Sequence, residues 1–186
     1  LFILLLLSGL FSQASYILDL HDNMNYFGFP VLPNSTEEVI ESLYPYCELY
    51  TDTDPEDNSS CYDPSNCFDE LITSDDILEY DKGYVAVCFE DPPDINIHGT
   101  LPDSDCIEYS LNSGWNFISF PLLPGGGYTP LLNIVESYGD TLEAIWAEGQ
   151  SAYNYDGLWI GSLQYFYYAN GYYFKATEDF TMTICG

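Results

Sequence analysis

The densest group of side chains that could bind a metal lies in the first half of the sequence. Asp52, Asp54, Glu56 and Asp57 offer carboxylate oxygens within six residues, and such oxygens are the ligands that Ca²⁺ takes in loops. An EF-hand is excluded, because the sixth position has no glycine and Asp63 stands where the twelfth-position glutamate belongs. We therefore expect no cofactor, with Ca²⁺ in this stretch as the alternative to a solvated acidic loop.

Residues for catalysis are sparse. A nucleophilic Ser, Thr or Cys needs a base within reach, and histidine is the usual one. The sequence contains two histidines, His21 and His98. Many acidic pairs could be imagined for a glycosidase, but no spacing singles out two carboxylates. The sequence predicts no catalytic residues and no enzymatic activity.

Aromatic residues crowd the last third of the chain. The four consecutive aromatics at 165–168 cannot all face one core, because neighbouring residues in a strand point to opposite faces. We expect Tyr165, Tyr167, Tyr168 and Tyr173 to form a binding surface or interface, since exposed tyrosines stack on sugars or contact proteins. Core and cross-strand packing is the alternative.

The chain has six cysteines, which predict three disulfides in an exported protein, and the front end described below predicts export. The pair Cys106 and Cys185 is predicted by an internal repeat described below, because the positions that match both residues in the first copy lack cysteine together. For the other four cysteines we prefer Cys61 with Cys67 and Cys47 with Cys88, among three possible connectivities. A zinc site is disfavoured, because the sequence has no C-x-x-C motif.

The charge is strongly negative. The chain has 30 acidic residues against Lys82 and Lys175, a net charge of −28. Such a surface repels nucleic-acid phosphates and anionic lipid heads, and it attracts cations or basic partners. The expected partners are therefore further copies of the chain, other surface proteins or glycans, and not nucleic acid.

The front end resembles a secretory leader. Residues 1–7 are apolar, and the small residues Ser12 and Ala14 suit a cleavage site after position 14. The run is too short for a stable membrane span. We expect a secreted or cell-surface protein, with glycosylation possible at Asn34 and Asn58 in the two Asn-x-Ser/Thr sequons.

An internal repeat organises the rest of the chain. Residues 20–33 align without a gap on residues 111–124, an offset of 91 from Leu20 to Leu111. Weaker matches follow in the same order and end with residues 95–99 on residues 182–186. Self-similarity of this kind predicts a duplicated unit. We expect a leader at 1–14, a first repeat domain at 15–101 with an acidic insert at about 50–76, and a second at 102–186.

Each copy reads as β-rich α+β, that is, a small antiparallel-sheet domain with one short helix. Alternation predicts strands at 15–20 and 107–111, and more continuous apolar runs predict central strands at 26–29 and 115–120. Ser35 is the expected cap of the first helix and Thr129 that of the second. Asp156-Gly157 between apolar runs predicts a hairpin turn.

The second copy resembles a module of secreted, cell-surface and phage-associated proteins from marine microbes. The pattern is Gly-Trp-Asn, then Trp-x-Gly-Ser-Leu, then Gly-Tyr-Trp, and it falls on residues 114–116, 159–163 and 171–173. Tyr173 stands where the pattern has tryptophan, and the first copy matches only at its anchors. The resemblance implies extracellular display or assembly and no catalytic residues.

These observations favour a secreted, disulfide-bonded structural protein that forms part of a filament, surface layer or envelope. The alternative is a carbohydrate-binding or adhesive module that uses exposed aromatics and a divalent cation.

Overall fold

The fold is seen in a computed structural model that describes residues 13–52, 68–103 and 105–186. The first half contains seven short strands and one helix. In chain order these are β1 (Gln13–Leu18), β2 (Asn23–Phe27), β3 (Leu32–Pro33), α1 (Thr36–Leu43), β4 (Cys47–Thr51), β5 (Glu70–Leu71), β6 (Tyr84–Cys88) and β7 (Ile95–Thr100).

The second half contains nine strands, one short helix and a 3₁₀ turn. In chain order these are β8 (Cys106–Leu111), β9 (Gly114–Ser119), β10 (Tyr128–Pro130), α2 (Leu131–Val135), the turn Glu136–Tyr138, β11 (Leu142–Ala147), β12 (Gln150–Tyr155), β13 (Leu158–Gly161), β14 (Tyr165–Tyr167), β15 (Gly171–Ala176) and β16 (Phe180–Cys185). The chain is thus β-rich with two short helices, as the sequence predicts.

Both halves pair their strands in the same pattern. In the first half β1 pairs with β7, and the larger sheet runs β2-β6-β4-β5. In the second half β8 pairs with β16, and the larger sheet runs β9-β15-β11-β12-β13. The first half adds β3 to the edge of β7, and the second has a separate ribbon of β10 and β14. The named strand pairs are all antiparallel.

An asparagine closes the same turn in each half. The Asn25 side chain accepts from the His21 N–H and donates to the His21 carbonyl, at 2.9 and 2.8 Å. Asn116 makes the same two bonds with Asn112, both at 2.8 Å. These bonds fix the link between the first two strands of each half.

A buried tyrosine also recurs. The Tyr84 hydroxyl accepts from the backbone N–H of Glu79 at 2.7 Å, and the Tyr172 hydroxyl accepts from that of Tyr167 at 2.6 Å. In each case the ring comes from the central strand and ties down the chain five residues before it. The tyrosines of the Gly-Tyr segments at 83–84 and 171–172 therefore make equivalent hydrogen bonds in the two halves.

The sequence prediction of central strands at 26–29 and 115–120 is wrong. β2 and β9 lie at the edges of their sheets, and β6 and β15 lie between neighbours. The apolar character of β2 and β9 has another cause, because both strands pack against the opposite half of the molecule.

Local signals for the helices hold in one half only. Ser35 caps α1, and its hydroxyl accepts from the Glu38 N–H at 3.4 Å. Thr129 does not cap α2, which was predicted, because Thr129 belongs to β10 and pairs with Phe166. Pro130 precedes the first residue of α2 without any side-chain cap.

Two disulfides match the predicted pairs. Cys47 on β4 is bonded to Cys88 on β6, and Cys106 on β8 is bonded to Cys185 on β16. Each bond joins residues that face each other in the strand register. In the first half the register position that matches Cys106 and Cys185 is held by Ser15 opposite His98. Cys61 and Cys67 lie outside the described residues.

The described residues form three apolar cores. One lies within each half, between its sheets and its helix, and the third lies between the halves. The third core contains Tyr50, Phe68, Val85, Phe117 and Tyr173 at its buried centre. Its position follows from the central strands, which are buried on both faces.

The halves meet through reciprocal backbone contacts. The Gly28 N–H donates to the Ala169 carbonyl at 2.8 Å, and the Ser119 N–H donates to the Asp81 carbonyl at 3.1 Å. Single bridges join Phe27 to Asn170 and Lys82 to Ile118. Residues 27 and 28 match residues 118 and 119 at the repeat offset of 91, so each contact has a counterpart with the halves exchanged. This reciprocity is what a two-fold relation between two like units produces.

Candidate functional site

A layer of stacked aromatic rings joins the halves. The Phe117 ring stacks on Tyr173 with centroids 4.1 Å apart and planes 10° apart. Tyr26 of the first half meets both rings edge-on, at 5.7 and 5.3 Å. Such pairs add about 0.5–1.5 kcal/mol each beyond the burial of apolar area. The layer therefore fixes the two large sheets face to face.

Tyr173 does not lie at the surface, which corrects the sequence prediction for this residue. Its ring is 0 % exposed, and its hydroxyl donates to the carboxylate of Asp52, which is 4 % exposed. Burial raises the pKa of Tyr173 far above its ordinary value, and the Asp52 carboxylate raises it further. The phenol therefore remains protonated and serves as a donor inside the molecule.

The predicted metal loop is described only at its first residue. Asp52 accepts from Tyr173 in the interior of the molecule, and Asp54, Glu56 and Asp57 lie outside the described residues. Within the described ranges no group of three or more His, Cys, Asp or Glu side chains is placed to hold a metal ion. The calcium hypothesis stays a prediction.

An apolar face lies open on the hairpin of β12 and β13. Asp156 and Gly157 form its two-residue turn with φ of +52° and +86°, as the sequence predicts and as a type I′ turn requires. The register places Tyr153 opposite Ile160 and Tyr155 opposite Leu158. These four side chains, which we call the hairpin face, share one side of the sheet and are 37–63 % exposed.

The opposite side of the hairpin anchors it to the second half. Ala152 is buried in the core of that half, and Trp159 packs against the core. The Asn154 side chain donates to the carbonyls of Gly139 and Leu142. The inner side of the hairpin is thus packed against the second half, and the hairpin face on its outer side is held in a fixed position.

A second aromatic surface lies on the ribbon of β10 and β14. Tyr128, Tyr165 and Tyr167 are 42–57 % exposed, whereas Phe166 between them is fully buried. The Tyr128 ring lies 5.6 Å from Tyr165 and 6.2 Å from Tyr167. We call these three rings the tyrosine ribbon. The alternation agrees with the expectation that aromatics at 165–168 cannot all face one core.

Tyr168 behaves differently from its neighbours. It is half-buried, and its ring meets Tyr16 of β1 edge-on at 6.2 Å. Burial and the nearby Tyr16 raise the pKa of Tyr168. The contact with Tyr16 joins the two halves. Tyr168 is therefore only partly available to an external partner.

A cleft of about 460 Å³ opens beside the aromatic layer. Its walls come from β2 of the first half and from the turn between β11 and β12 of the second. The lining residues are Met24, Tyr26, Trp146, Glu148, Gln150 and Tyr153, with Ala147, Gly149, Ser151 and Tyr173 completing the wall. The volume falls in the range of small-molecule sites.

Glu148 of the cleft wall is hydrogen-bonded to His21 of the first half. The His21 Nε2 lies 2.8 Å from the Glu148 carboxylate, across 127 residues of sequence. A hydrogen bond to the Asp22 carbonyl raises the pKa of His21 most, and Glu148 raises it further. The second Glu148 oxygen accepts from the Tyr26 N–H at 3.4 Å. His21 thus has a bridging position, which its place in the sequence does not indicate.

The remaining predicted residues are surface features. Asn34 is exposed in the turn before α1, in a place accessible to glycosylation, and Asn58 lies outside the described residues. Residues 1–12 of the predicted leader also lie outside them, and Gln13 and Ala14 pair with Thr100 and Gly99 in β1. The described part of the chain has no helix long and apolar enough to cross a bilayer.

Sequence reasoning missed the hairpin face and the cleft for different reasons. The hairpin face had a signal, because a two-residue turn fixes the register and so places 153, 155, 158 and 160 on one side. The cleft had none, because Met24 and Tyr26 meet residues more than 100 positions away. No periodicity connects such distant segments.

Comparisons with protein-family models, with curated proteins and with solved structures give no match. The functional argument therefore rests on the geometry of this chain.

Proposed function

We propose that this protein is a secreted structural subunit that associates with copies of itself through the hairpin face. The observation that carries the proposal is that Tyr153, Tyr155, Leu158 and Ile160 form one exposed apolar surface on a fixed hairpin. Contiguous apolar surface on a soluble protein commonly marks an interface. The two disulfides and the lack of a spanning helix in the described ranges are compatible with an extracellular protein.

The open edge of β13 favours a second copy as the occupant. Among the described strands β13 pairs only with β12, so its outer backbone groups are available to another strand. β13 has neither the proline nor the lysine with which exposed edges are often protected. Antiparallel pairing of β13 with β13 of a second copy would be self-complementary and would join two hairpin faces into one apolar surface.

The charge distribution points to the same surface. A chain of net charge −28 repels its own copies over most of its area. Residues 149–168 contain a single charged side chain, Asp156. This is where two copies can approach with the least repulsion.

The proposal includes duplication of one ancestral unit. The repeat offset, the matching strand order, the paired Asn25 and Asn116 turns and the reciprocal contacts between halves support it. Among the described residues of the first half the hairpin of β12 and β13 has no counterpart of its size, and the matching edge strand is the two-residue β5. Self-association would therefore be a property of the second copy.

Sedimentation velocity of the purified chain at increasing NaCl tests the proposal. Salt shortens the Debye length from about 30 Å at 0.01 M to about 3 Å at 1 M, so association should strengthen with salt. The double variant Leu158→Thr/Ile160→Thr keeps the charge and suits a strand. Each change removes about 1 kcal/mol of apolar transfer free energy. A symmetric dimer contains each residue twice, so the four changes sum to about 4 kcal/mol and should raise the dissociation constant on the order of a thousandfold.

The matched control is Ile77→Thr, which alters an exposed isoleucine in the first half. It should leave association unchanged. A wild-type chain that stays monomeric at all salt and protein concentrations would contradict the proposal. Equal effects of the control and the double variant would show that the hairpin face is not the interface.

A carbohydrate-binding or adhesive function is the second candidate, and the tyrosine ribbon favours it. The exposed ring of Tyr128 and two others within 6.2 Å of it form an open platform, and sugars stack on such rings. The variant Tyr165→Ala/Tyr167→Ala should then abolish binding on a glycan array and leave sedimentation unchanged. Loss of self-association in that variant would assign the ribbon to assembly instead.

A further inference from the structure

The cleft between the halves presents aromatic and thioether groups around one carboxylate. Tyr26, Trp146 and Tyr153 contribute rings to its wall, and Met24 contributes sulfur. Tyr26 and Trp146 are half-buried, so each ring is supported by the protein and still reaches the cleft. Among the described residues that line the wall, Glu148 is the one with a charged side chain.

The net charge of the chain favours a negative potential in the cleft. The chain carries −28, and the described residues that line the cleft include no lysine or arginine. The Glu148 carboxylate in the wall is itself paired with His21. Burial raises the pKa of Tyr26 to about 12, with further contributions from the charges of Asp52 and Glu148. An anionic guest would be repelled here, and a cation would be attracted.

The Trp115 indole next to Trp146 contacts the ammonium group of Lys175. The Lys175 Nζ lies 5.2 Å from the centre of the Trp115 ring, within the range of a cation–π contact. Trp115 in turn packs against Trp146 with ring centroids 4.7 Å apart. One of the two lysines of the chain thus occupies the aromatic surface beside the cleft, and the Trp146 ring extends that surface into the cleft.

The Trp146 side chain offers its ring and not its N–H to a guest. The Trp146 Nε1 is buried and has no hydrogen-bond partner among the described residues, so it cannot reach an oxygen in the cleft. What Trp146 can offer to a guest is its ring. Rings and a carboxylate match a methylated quaternary ammonium group, which has no N–H donors to satisfy.

We propose that this cleft binds a small alkylated ammonium compound. The rings of Tyr26, Trp146 and Tyr153 contact the methyl groups, and Glu148 lies beside the positive charge. This site is separate from the proposed self-association, although Tyr153 belongs to both surfaces. The site uses residues from both halves, so it forms only when the two halves are packed together.

Choline and its neutral isostere 3,3-dimethyl-1-butanol form a matched pair of probes. They are added to the Leu158→Thr/Ile160→Thr variant, which keeps Tyr153 and reduces self-association as a source of signal. Binding is followed by tryptophan fluorescence and by NMR of the indole N–H groups at constant ionic strength. Choline should bind at least about tenfold more tightly than the isostere, as a cation–π site requires.

Two variants locate the site. Glu148→Gln should weaken choline binding about tenfold and leave binding of the neutral isostere unchanged, and Trp146→Leu should abolish choline binding. The control Glu108→Gln removes the same charge from β8, outside the cleft wall, and should have little effect. Circular dichroism confirms that each variant is folded.

Three results would overturn the proposal. These are equal affinity for choline and its isostere, equal effects of Glu148→Gln and Glu108→Gln, and choline-induced shifts that spare the Trp146 indole. Because the test is made on a variant in which self-association is weakened, its failure leaves the proposed self-association standing. Failure of self-association likewise leaves the choline result interpretable.

Discussion

The contact between Gly28 and Ser119 offers the sharpest test of the relation between the halves. The two residues hold matching positions, 91 apart, and meet across the boundary. A Cβ atom on Gly28 would lie 1.9 Å from the Ser119 Oγ and 2.1 Å from its Cβ. The Gly28→Ser variant can therefore fold only if one half shifts.

The cost follows from what holds the contact in place. The Gly28 N–H is bonded to Ala169 at 2.8 Å, and the Lys82 carbonyl lies 3.0 Å from the added Cβ on another side. Overpacking at a confined site costs about 1–3 kcal/mol and sometimes more, and we expect about 3 kcal/mol here. In a chain of this length that lowers Tm by roughly 6–12 °C.

The exchange of the two residues should restore stability. Ser119→Gly alone loses the hydrogen bond from Oγ to the Tyr80 carbonyl, which measures 2.9 Å, at about 1–2 kcal/mol. In Gly28→Ser/Ser119→Gly the serine side chain moves to the first half, and glycine provides the space opposite. In this region the halves match at an offset of 88, which relates Tyr84 to Tyr172 and Tyr80 to Tyr168. The new serine hydroxyl can then donate to the carbonyl of Tyr168. We expect the double variant within about 1 kcal/mol of wild type, a large departure from additivity.

Urea and thermal denaturation followed by circular dichroism measure all three variants. Gly127→Ser is the control, because a Cβ at Gly127 meets no atom within 4 Å. The reasoning is refuted if Gly28→Ser is no less stable than this control. It is also refuted if the double variant is no more stable than Gly28→Ser, because the halves would then not meet reciprocally.

Two further predictions concern polar contacts between distant segments. Tyr173→Phe removes the hydroxyl that donates to Asp52 and should lower the free energy of unfolding by about 1.5–3 kcal/mol. The control Tyr153→Phe at the surface should change it by less than about 0.5 kcal/mol. Equal effects of the two variants would contradict the buried hydrogen bond. The raised pKa of His21 means that its contacts stabilise the fold below its ordinary value of 6.5 and stop doing so as pH rises through the folded-state pKa. In an NMR titration Glu148→Gln should lower the pKa of His21, and the increase caused by the hydrogen bond to Asp22 should remain. An unchanged pKa would show that the contact with Glu148 does not form in solution.

Local patterns in the sequence were sufficient for many single elements. Ser35 with Glu38 defined the start of α1, because a cap depends on residues three positions apart. Asp156-Gly157 defined the hairpin, because few residues adopt the positive φ values of that turn. The pairing of Cys106 with Cys185 was predicted from the proposed duplication, since both matching positions in the first half lack cysteine.

Where the pattern depended on tertiary surroundings, the same reasoning failed. Thr129 looks like a cap, but its strand pairs with β14, and the pairing decides its conformation. The apolar run at 115–120 looks like a central strand, but β9 is an edge strand that the opposite half covers. Apolar character reports that a segment is buried and does not report which surface buries it.

The sequence by itself thus determined the β-rich class and the alternation that exposes the tyrosines at 165 and 167, and it favoured the two disulfide pairs that the described residues contain. Only the tertiary structure decided that Tyr173 is internal, that Asp52 accepts from it, and that His21 meets Glu148 of the cleft wall. The physical reason is that the first group depends on spacing along the chain. The second depends on how two folded halves pack, and that packing joins residues more than 100 positions apart.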